Sequence, residues 1–341
     1  MARTGGWRRQ GSSGRFRYVD ARGNTISDAK KLERIGALVI PPAWKDVWIS
    51  PRPQSKLQAT GVDAKGRRQY LYSPVYRAEQ EQAKYDKLVR FAERLPALRG
   101  VMAEHMAQDS LERERICALA VRLINLTWFR VGSERYAAES KTFGVTTLTR
   151  RHVRVEGKKI SFHFRAKHSV PVRTALIDAE LAEAISELLA LRGGRRLFRY
   201  RWEGDLYNLG GRLLNQYIST HLGAEFTAKD FRTWGGTLTA AISFAERGLP
   251  KSERDGKRAV ASVTRTVAEQ LGNTPAVART SYISPAVVEQ YLDGTTIDKY
   301  RPRRLRVVAA RDAGLDLEEQ ALLSLLRSWK LKRTTGLKTA A

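Results

Sequence analysis

Five side chains stand where the chain is forced to turn or stop, and their types suit chemistry on a phosphodiester: Arg130, Lys167, Arg232, Asn273 and Tyr282. Phosphoryl transfer needs donors on the non-bridging oxygens, a nucleophile in line with the leaving oxygen, and a proton for that oxygen. A guanidinium is always charged and binds two oxygens at once. A lysine, with an ordinary pKa near 10.4, is protonated at neutral pH and can give its proton to a departing alkoxide. Arg130 lies in Thr127-Trp-Phe-Arg130-Val-Gly132, past an apolar helical stretch and ahead of a glycine turn. Lys167 lies in Phe164-Arg-Ala-Lys167-His-Ser, where two strand-like stretches meet. Arg232 follows Asp230, which reads as a helix N-cap. A cation in a first helical turn opposes the dipole, and a bound phosphate, which also favours helix N-termini, would account for it. In Leu271-Gly272-Asn273-Thr274-Pro275, Gly272 reads as a helix stop and Thr274-Pro275 as the cap and first residue of a short helix; Ser284-Pro285 starts another just after Tyr282. Taken singly, each has a plainer reading: a surface cation, a solvated hairpin lysine, a packed aromatic.

Other chemistries fit less well. Gly61-Val-Asp-Ala-Lys-Gly66-Arg67-Arg68 has the glycine spacing of a phosphate loop without its final Lys and Ser/Thr, so it reads as a basic turn. His163 and His168 are not at the spacing of a helical zinc pair, and no cysteines support them. No dense Asp/Glu cluster suggests a two-metal nuclease. Neither a metal nor a cofactor is expected.

The composition points to a polyanionic partner. Among 341 residues, 61 Lys and Arg stand against 35 Asp and Glu, a net charge of +26 that repels itself unless an anion is present. Residues 1–89 hold 18 basic and 8 acidic side chains, so the surplus is shared by both parts of the chain. Hydrophobic residues make up 42%, enough for two cored domains. The start, Met1 to Gly14, is Gly/Arg/Ser-rich rather than an amphipathic membrane helix, and no apolar run reaches the length of a span. With Cys117 as the single cysteine, a reducing, cytoplasmic setting is expected.

The elements that must position these residues follow from periodicity. Residues 1–16 read as a flexible basic terminus, and 17–89 as a β-rich domain with strands near 16–19, 47–50 and 69–72 and a helix over 28–38. Helical periodicity takes over at 78–94 and 110–127, the latter with Cys117 in its apolar face. Residues 145–173 alternate as a three-stranded meander with Lys167 at its second turn. Helical sequence resumes at 176–192 and runs to a last helix over 316–330. The expected fold class is α+β: a small N-terminal antiparallel sheet domain and a larger, mainly α-helical domain, 90–341, carrying the meander.

Together these residues resemble the type IB DNA topoisomerases, in their compact poxvirus-like and bacterial branch. The resemblance runs through Leu38-Val-Ile-Pro-Pro-Ala-Trp44, Leu57-Gln-Ala-Thr-Gly61, Arg67-Arg-Gln-Tyr70-Leu-Tyr72, Arg130-Val-Gly, Phe143-Gly-Val-Thr-Thr-Leu, the Lys167 turn, Asp230-Phe-Arg232-Thr-Trp and the Asn273 to Tyr282 block. It implies Tyr282 as nucleophile, Arg130 and Arg232 as clamps on the scissile phosphate, and Lys167 as general acid toward the 5′-oxygen. Asn273 stands where poxviral and eukaryotic relatives carry histidine, and would donate a hydrogen bond without exchanging protons. Gln69, Tyr70 and Tyr72, with Arg67 and Arg68, correspond to DNA-contacting positions. The resemblance further implies a bacterial monomer acting on duplex DNA at the nucleoid, with no obligate protein partner, ATP or metal. One departure concerns the Lys167 turn, Ala-Lys-His-Ser, where relatives often have glycines. The neighbouring readings are a tyrosine recombinase, which typically carries His-x-x-Arg where this chain has Lys229-Asp-Phe-Arg232, and a non-catalytic basic DNA-binding protein.

Overall fold

In the computed structural model, which describes residues 5–12, 14–301 and 314–339, the segment around Trp7 is a β-strand rather than a loose tail. Strand β1 (Trp7–Gln10) lies between β2 (Arg17–Val19) and β3 (Lys45–Ile49), and β4 (Leu57–Val62) and β5 (Arg68–Tyr72) complete an antiparallel sheet of order β2-β1-β3-β4-β5. This corrects the expected flexible terminus over 1–16, of which residues 1–4 and 13 lie outside the described residues. The physical reason is burial. Trp7 joins Ile26, Ile35, Val47, Ile49 and Ala59 in one core, and the Arg34 guanidinium lies 5.2 Å over its ring. Arg9 is likewise structural: it covers Phe16 and donates to the carbonyls of Pro41 (3.1 Å) and Trp44 (2.6 Å). Helix α1 (Ala29–Ala37) starts where expected, its Asp28 cap accepting from the Lys31 N–H at 2.9 Å.

Contacts divide the chain into two units, Met1–Lys84 and Tyr85–Ala341, with helix α2 (Pro74–Met106) running through the division. The second unit is built around α3 (Arg113–Thr127). Its residues Ile116 to Val121 are all buried, so this helix is covered on every side, by α5 (Ala179–Ala190), α6 (Gly211–Leu222) and α7 (Ala228–Arg247) among others. Burial first, then Glu114, pushes the Cys117 thiol up to about 12, which makes it an inert core residue.

Past α3 and the short α4 (Glu134–Glu139), the meander forms as expected: β6 (Val153–Glu156), β7 (Lys159–Arg165) and β8 (Pro171–Ile177) pair in sequence order. Its inner face, Val153, Ile160, Phe162 and Phe164, is buried. Phe129 packs edge-on against Phe162 and Phe164, at 5.5 and 5.2 Å, which fixes the backbone just before Arg130. A hairpin, β9 (Arg199–Trp202) and β10 (Asp205–Asn208), interrupts a region expected to be helical; Glu203 and Gly204 both take positive φ, as a two-residue hairpin turn requires. Helices α8 (Glu253–Leu271), α9 (Pro275–Ser281) and α10 (Pro285–Leu292) follow. In α11 (Leu317–Thr339), Leu322, Leu325, Leu326 and Trp329 are buried, and Glu319 accepts from Arg99 at 2.8 Å and from the Trp234 indole at 2.9 Å.

If β1 is an integral strand, Trp7→Ala removes a core ring and destabilises the first unit by about 3 kcal/mol. Amide hydrogen exchange of the sheet strands should speed up; unchanged exchange would return this segment to a loose tail.

Candidate active site

The end of α8 organises the site. Gly272 caps the helix in the left-handed region, φ 58°, where glycine has no Cβ to clash. The Gly272 N–H reaches Glu269 O at 3.1 Å and the Asn273 N–H reaches Ala268 O at 2.8 Å, the paired bonds of a Schellman motif. Those bonds leave the Leu271 and Gly272 carbonyls free at the negative end of the helix dipole. Two guanidiniums take them. Arg232 Nη2 donates to Leu271 O at 2.8 Å and its Nη1 to Trp128 O; Arg130 Nη2 donates to Gly272 O at 3.1 Å, with Nη1 at 3.4 Å from Leu271 O. Arg130 Nη2 also donates to Asn273 Oδ1 at 2.6 Å, which commits that oxygen and leaves the amide Nδ2 as the remaining donor, with a 3.4 Å contact to Leu271 O.

Neither arginine has a carboxylate partner among the described residues. Burial, then the charge of Arg232, lowers Arg130 to about 10, still protonated at neutral pH. Burial also lowers Arg232, and its Nε–H is buried without a partner. An unpartnered buried donor costs about 1–3 kcal/mol. Concentrated positive charge with a spare donor, and no carboxylate paired with it among the described residues, is an arrangement that an anion stabilises.

Tyr282 caps α9, and Arg232 stands 5.1 Å over its ring. Burial alone would raise the phenol, but the charge and hydrogen bond of Arg232, then the charges of Arg130 and Lys229, outweigh it and hold the group below its ordinary value. Its backbone is fixed by α7. A methyl at Gly236 would lie 2.8 Å from the Tyr282 carbonyl, and one at Gly235 would overlap the Trp128 ring. Two glycines inside a helix each cost about 1 kcal/mol relative to alanine, so close packing is what they serve. The buried Thr237 hydroxyl donates to Tyr282 O and accepts from the Ser284 N–H, each at 3.1 Å. The Gly235-Gly236-Thr237 seat was not among the expected residues; paired glycines inside a helical stretch were its one sequence signal.

The expected N-cap at Asp230 is corrected. Thr227 caps α7, and Asp230 closes a capping box by accepting from the Thr227 N–H at 2.8 Å. Arg232 is therefore past the first turn and held by carbonyls, so its place does not depend on the dipole at that end.

The structure thus brings Arg130, Arg232, Asn273 and Tyr282 together, and leaves Lys167 apart. Lys167 is exposed on the β7–β8 turn, in no hydrogen bond or ion pair with them. Its neighbours Ala166 and Val170 line a cleft of about 440 Å³ that also takes in Arg130, Arg232, Leu271 and Gly272. His168 and Ser169 both adopt left-handed φ, 62° and 60°, so they hold the conformation that glycines would hold in this turn.

In the first unit, strand alternation divides the expected DNA contacts. Arg68, Tyr70 and Tyr72 share an exposed face of β5, and the Tyr70 and Tyr72 rings stack at 6.3 Å. Gln69 points the other way and donates to Asp63, and Arg67 pairs with the same carboxylate at 2.7 Å, which helps hold it down to about 2.

Residues 73–306 match the family model of the eukaryotic DNA topoisomerase I catalytic core, and residues 15–63 match that of the bacterial DNA topoisomerase IB N-terminal domain. The chain is similar to the DNA topoisomerase 1B of Acanthamoeba polyphaga mimivirus, 32% identical over 291 residues that cover 83% of this chain and 86% of the viral one. It is also similar to the DNA topoisomerase I of monkeypox virus and the DNA topoisomerase 1B of vaccinia virus (strain Copenhagen), each 24% identical over 247 residues, 72% of this chain and 75% of the relative.

The electrostatics of Tyr282 can be read directly. With Arg232→Met the phenol loses its largest lowering influence and should titrate higher than in the unmodified protein; carbon-13 NMR of ring-labelled tyrosine measures both. An unmoved midpoint would detach Tyr282 from Arg232.

Proposed function

The chain belongs to the type IB DNA topoisomerases, in the compact poxvirus-like and bacterial branch, and from that premise we propose that it relaxes supercoiled duplex DNA through a 3′-phosphotyrosyl intermediate at Tyr282. The Tyr282 oxygen attacks the phosphorus, a new P–O bond forms, and the bond to the 5′-oxygen breaks. Arg130 and Arg232 hold the non-bridging oxygens, with the Asn273 amide as a further donor. Lys167 gives the 5′-oxygen its proton. The freed arm then rotates under torque of either sign, and the 5′-hydroxyl attacks back to release Tyr282. Because the phosphotyrosyl bond stores the energy of the bond it replaces, the cycle consumes no ATP, and the guanidiniums do the charge stabilisation that a metal would otherwise supply.

One observation carries this reading: two arginines without acid partners among the described residues converge on the end of α8, one of them lying over a tyrosine whose phenol it holds below its usual value. The attacking oxygen needs to lose a proton, and the same charges that grip the phosphate favour that loss. Lys167 stands outside the cluster, so in this proposal it reaches the leaving oxygen as DNA seats against the β7–β8 turn. Arg68, Tyr70 and Tyr72 are proposed as DNA contacts of the first unit, while Gln69 and Arg67, engaged by Asp63, are less available. A monomer acting at the bacterial nucleoid completes the proposal. No helix among the described residues is long and apolar enough to cross a membrane.

The test is relaxation of supercoiled plasmid in EDTA without ATP. The unmodified protein should relax both signs of supercoil and Tyr282→Phe neither, while Arg130→Ala should lose on the order of 10²–10³ in rate. Relaxation by Tyr282→Phe at the normal rate would refute the assignment.

A further inference from the structure

The sheet that carries Lys167 has two faces, and only the inner one is explained by packing. Register places Arg154 opposite Ser161, His163 opposite Arg173, and Arg165 opposite Pro171, all on the outer face. That face therefore carries Arg154, Lys159, Arg165 and Arg173 against a single carboxylate, Glu156, and all of these are exposed. None of the four cations forms an ion pair or hydrogen bond through its side chain among the described residues, although elsewhere on the chain many arginines do. Like charges on neighbouring strands are destabilising. A face of this kind is stabilised by a polyanion lying along it.

We infer that this outer face binds the backbone of the DNA arm on the leaving-group side of the cleaved bond, the arm that carries the 5′-hydroxyl. The inference rests on Lys167 acting at the 5′-oxygen. In-line displacement puts nucleophile and leaving oxygen on opposite sides of the phosphorus. In the proposed mechanism Tyr282, from α9, takes one of those sides and Lys167, from the β7–β8 turn, serves the other, so the strands that continue from Lys167 flank the leaving arm. At about 3.3 Å per strand residue, Arg165 lies roughly 7 Å and His163 roughly 13 Å along β7 from Lys167. Those distances correspond to about two to four nucleotides along the axis of duplex DNA. Arg173 stands across from His163 on β8, which puts cations on both strands near the tip. The contact is to phosphates and carries no sequence information.

The experiment measures affinity of the Tyr282→Phe protein, which cannot form the adduct, for duplexes whose leaving-side arm is lengthened stepwise from the cleavage site. The parent should gain affinity as the arm grows past the sheet. Arg165→Ala/Arg173→Ala should lose that gain, and its salt dependence on long arms should fall by close to two contacts' worth, a change of about 1.8 in the log–log slope. Arg254→Ala/Arg258→Ala removes the same charge from α8 and should leave the gain intact. An undiminished gain in the sheet variant, or an equal loss on short and long arms, would overturn the inference. Plasmid relaxation, run in parallel on proteins with Tyr282 intact, tells a failure of this face from a failure of the proposed function.

Discussion

Two positively charged side chains share the end of one helix, and the second unit is organised so that they can. The Leu271 and Gly272 carbonyls are the orphan acceptors left after the Schellman bonds of α8 form, and they sit at the negative end of its dipole. Each arginine arrives from a different element: Arg130 from the loop after α3, Arg232 from within α7. Neither could be buried among apolar side chains without such acceptors, since an unpaired buried charge is among the costliest features a fold can hold. Gly272 is therefore more than a helix stop. Its left-handed conformation turns the last carbonyls toward the arginines and puts Asn273 in reach of Arg130.

The same geometry governs the tyrosine. Gly235 and Gly236 let α7 approach the Trp128 ring and the Tyr282 backbone, and Thr237 ties the residues on both sides of Ile283 to the helix. Arg232 is thus linked to Tyr282 twice, through its charge and through the helix they share as support. What makes the cluster suited to a phosphodiester is incompleteness among the described residues: a buried Arg232 Nε–H without a partner, an Asn273 amide donor with only a long contact, and no carboxylate paired with either arginine.

Much of this was legible in the sequence wherever the grammar is local. The helix breaks at Gly272, Thr274-Pro275 and Ser284-Pro285 all stand where their residue types place them, because caps and prolines act over three or four residues. The meander was legible from alternation. The cap of α7 stands three residues before the one its sequence suggests, because Thr227 and Asp230 both suit the role and act as a pair. Strand β1 is illegible in the sequence for a different reason. Its partners β2 and β3 supply its stability from elsewhere in the chain, and a segment rich in Gly and Arg gives no sign that Arg9 is spent on carbonyls. The glycine pair of α7 was visible as a pattern, but its purpose lies in residues 45 or more positions away.

Lys167 marks the boundary of what this arrangement explains by itself. Four of the five residues are joined by bonds that exist without a ligand, whereas Lys167 waits on a turn whose His168 and Ser169 hold left-handed backbone. The central claim, that the geometry at the end of α8 makes Tyr282 the residue that bonds to DNA, is tested most directly by trapping the covalent complex on a duplex whose leaving strand dissociates after cleavage and sequencing the adduct peptide by mass spectrometry. The account predicts a 3′-phosphoryl group on Tyr282 alone. An adduct on Tyr291 or Tyr300, or one attached through a 5′-phosphate, would contradict it.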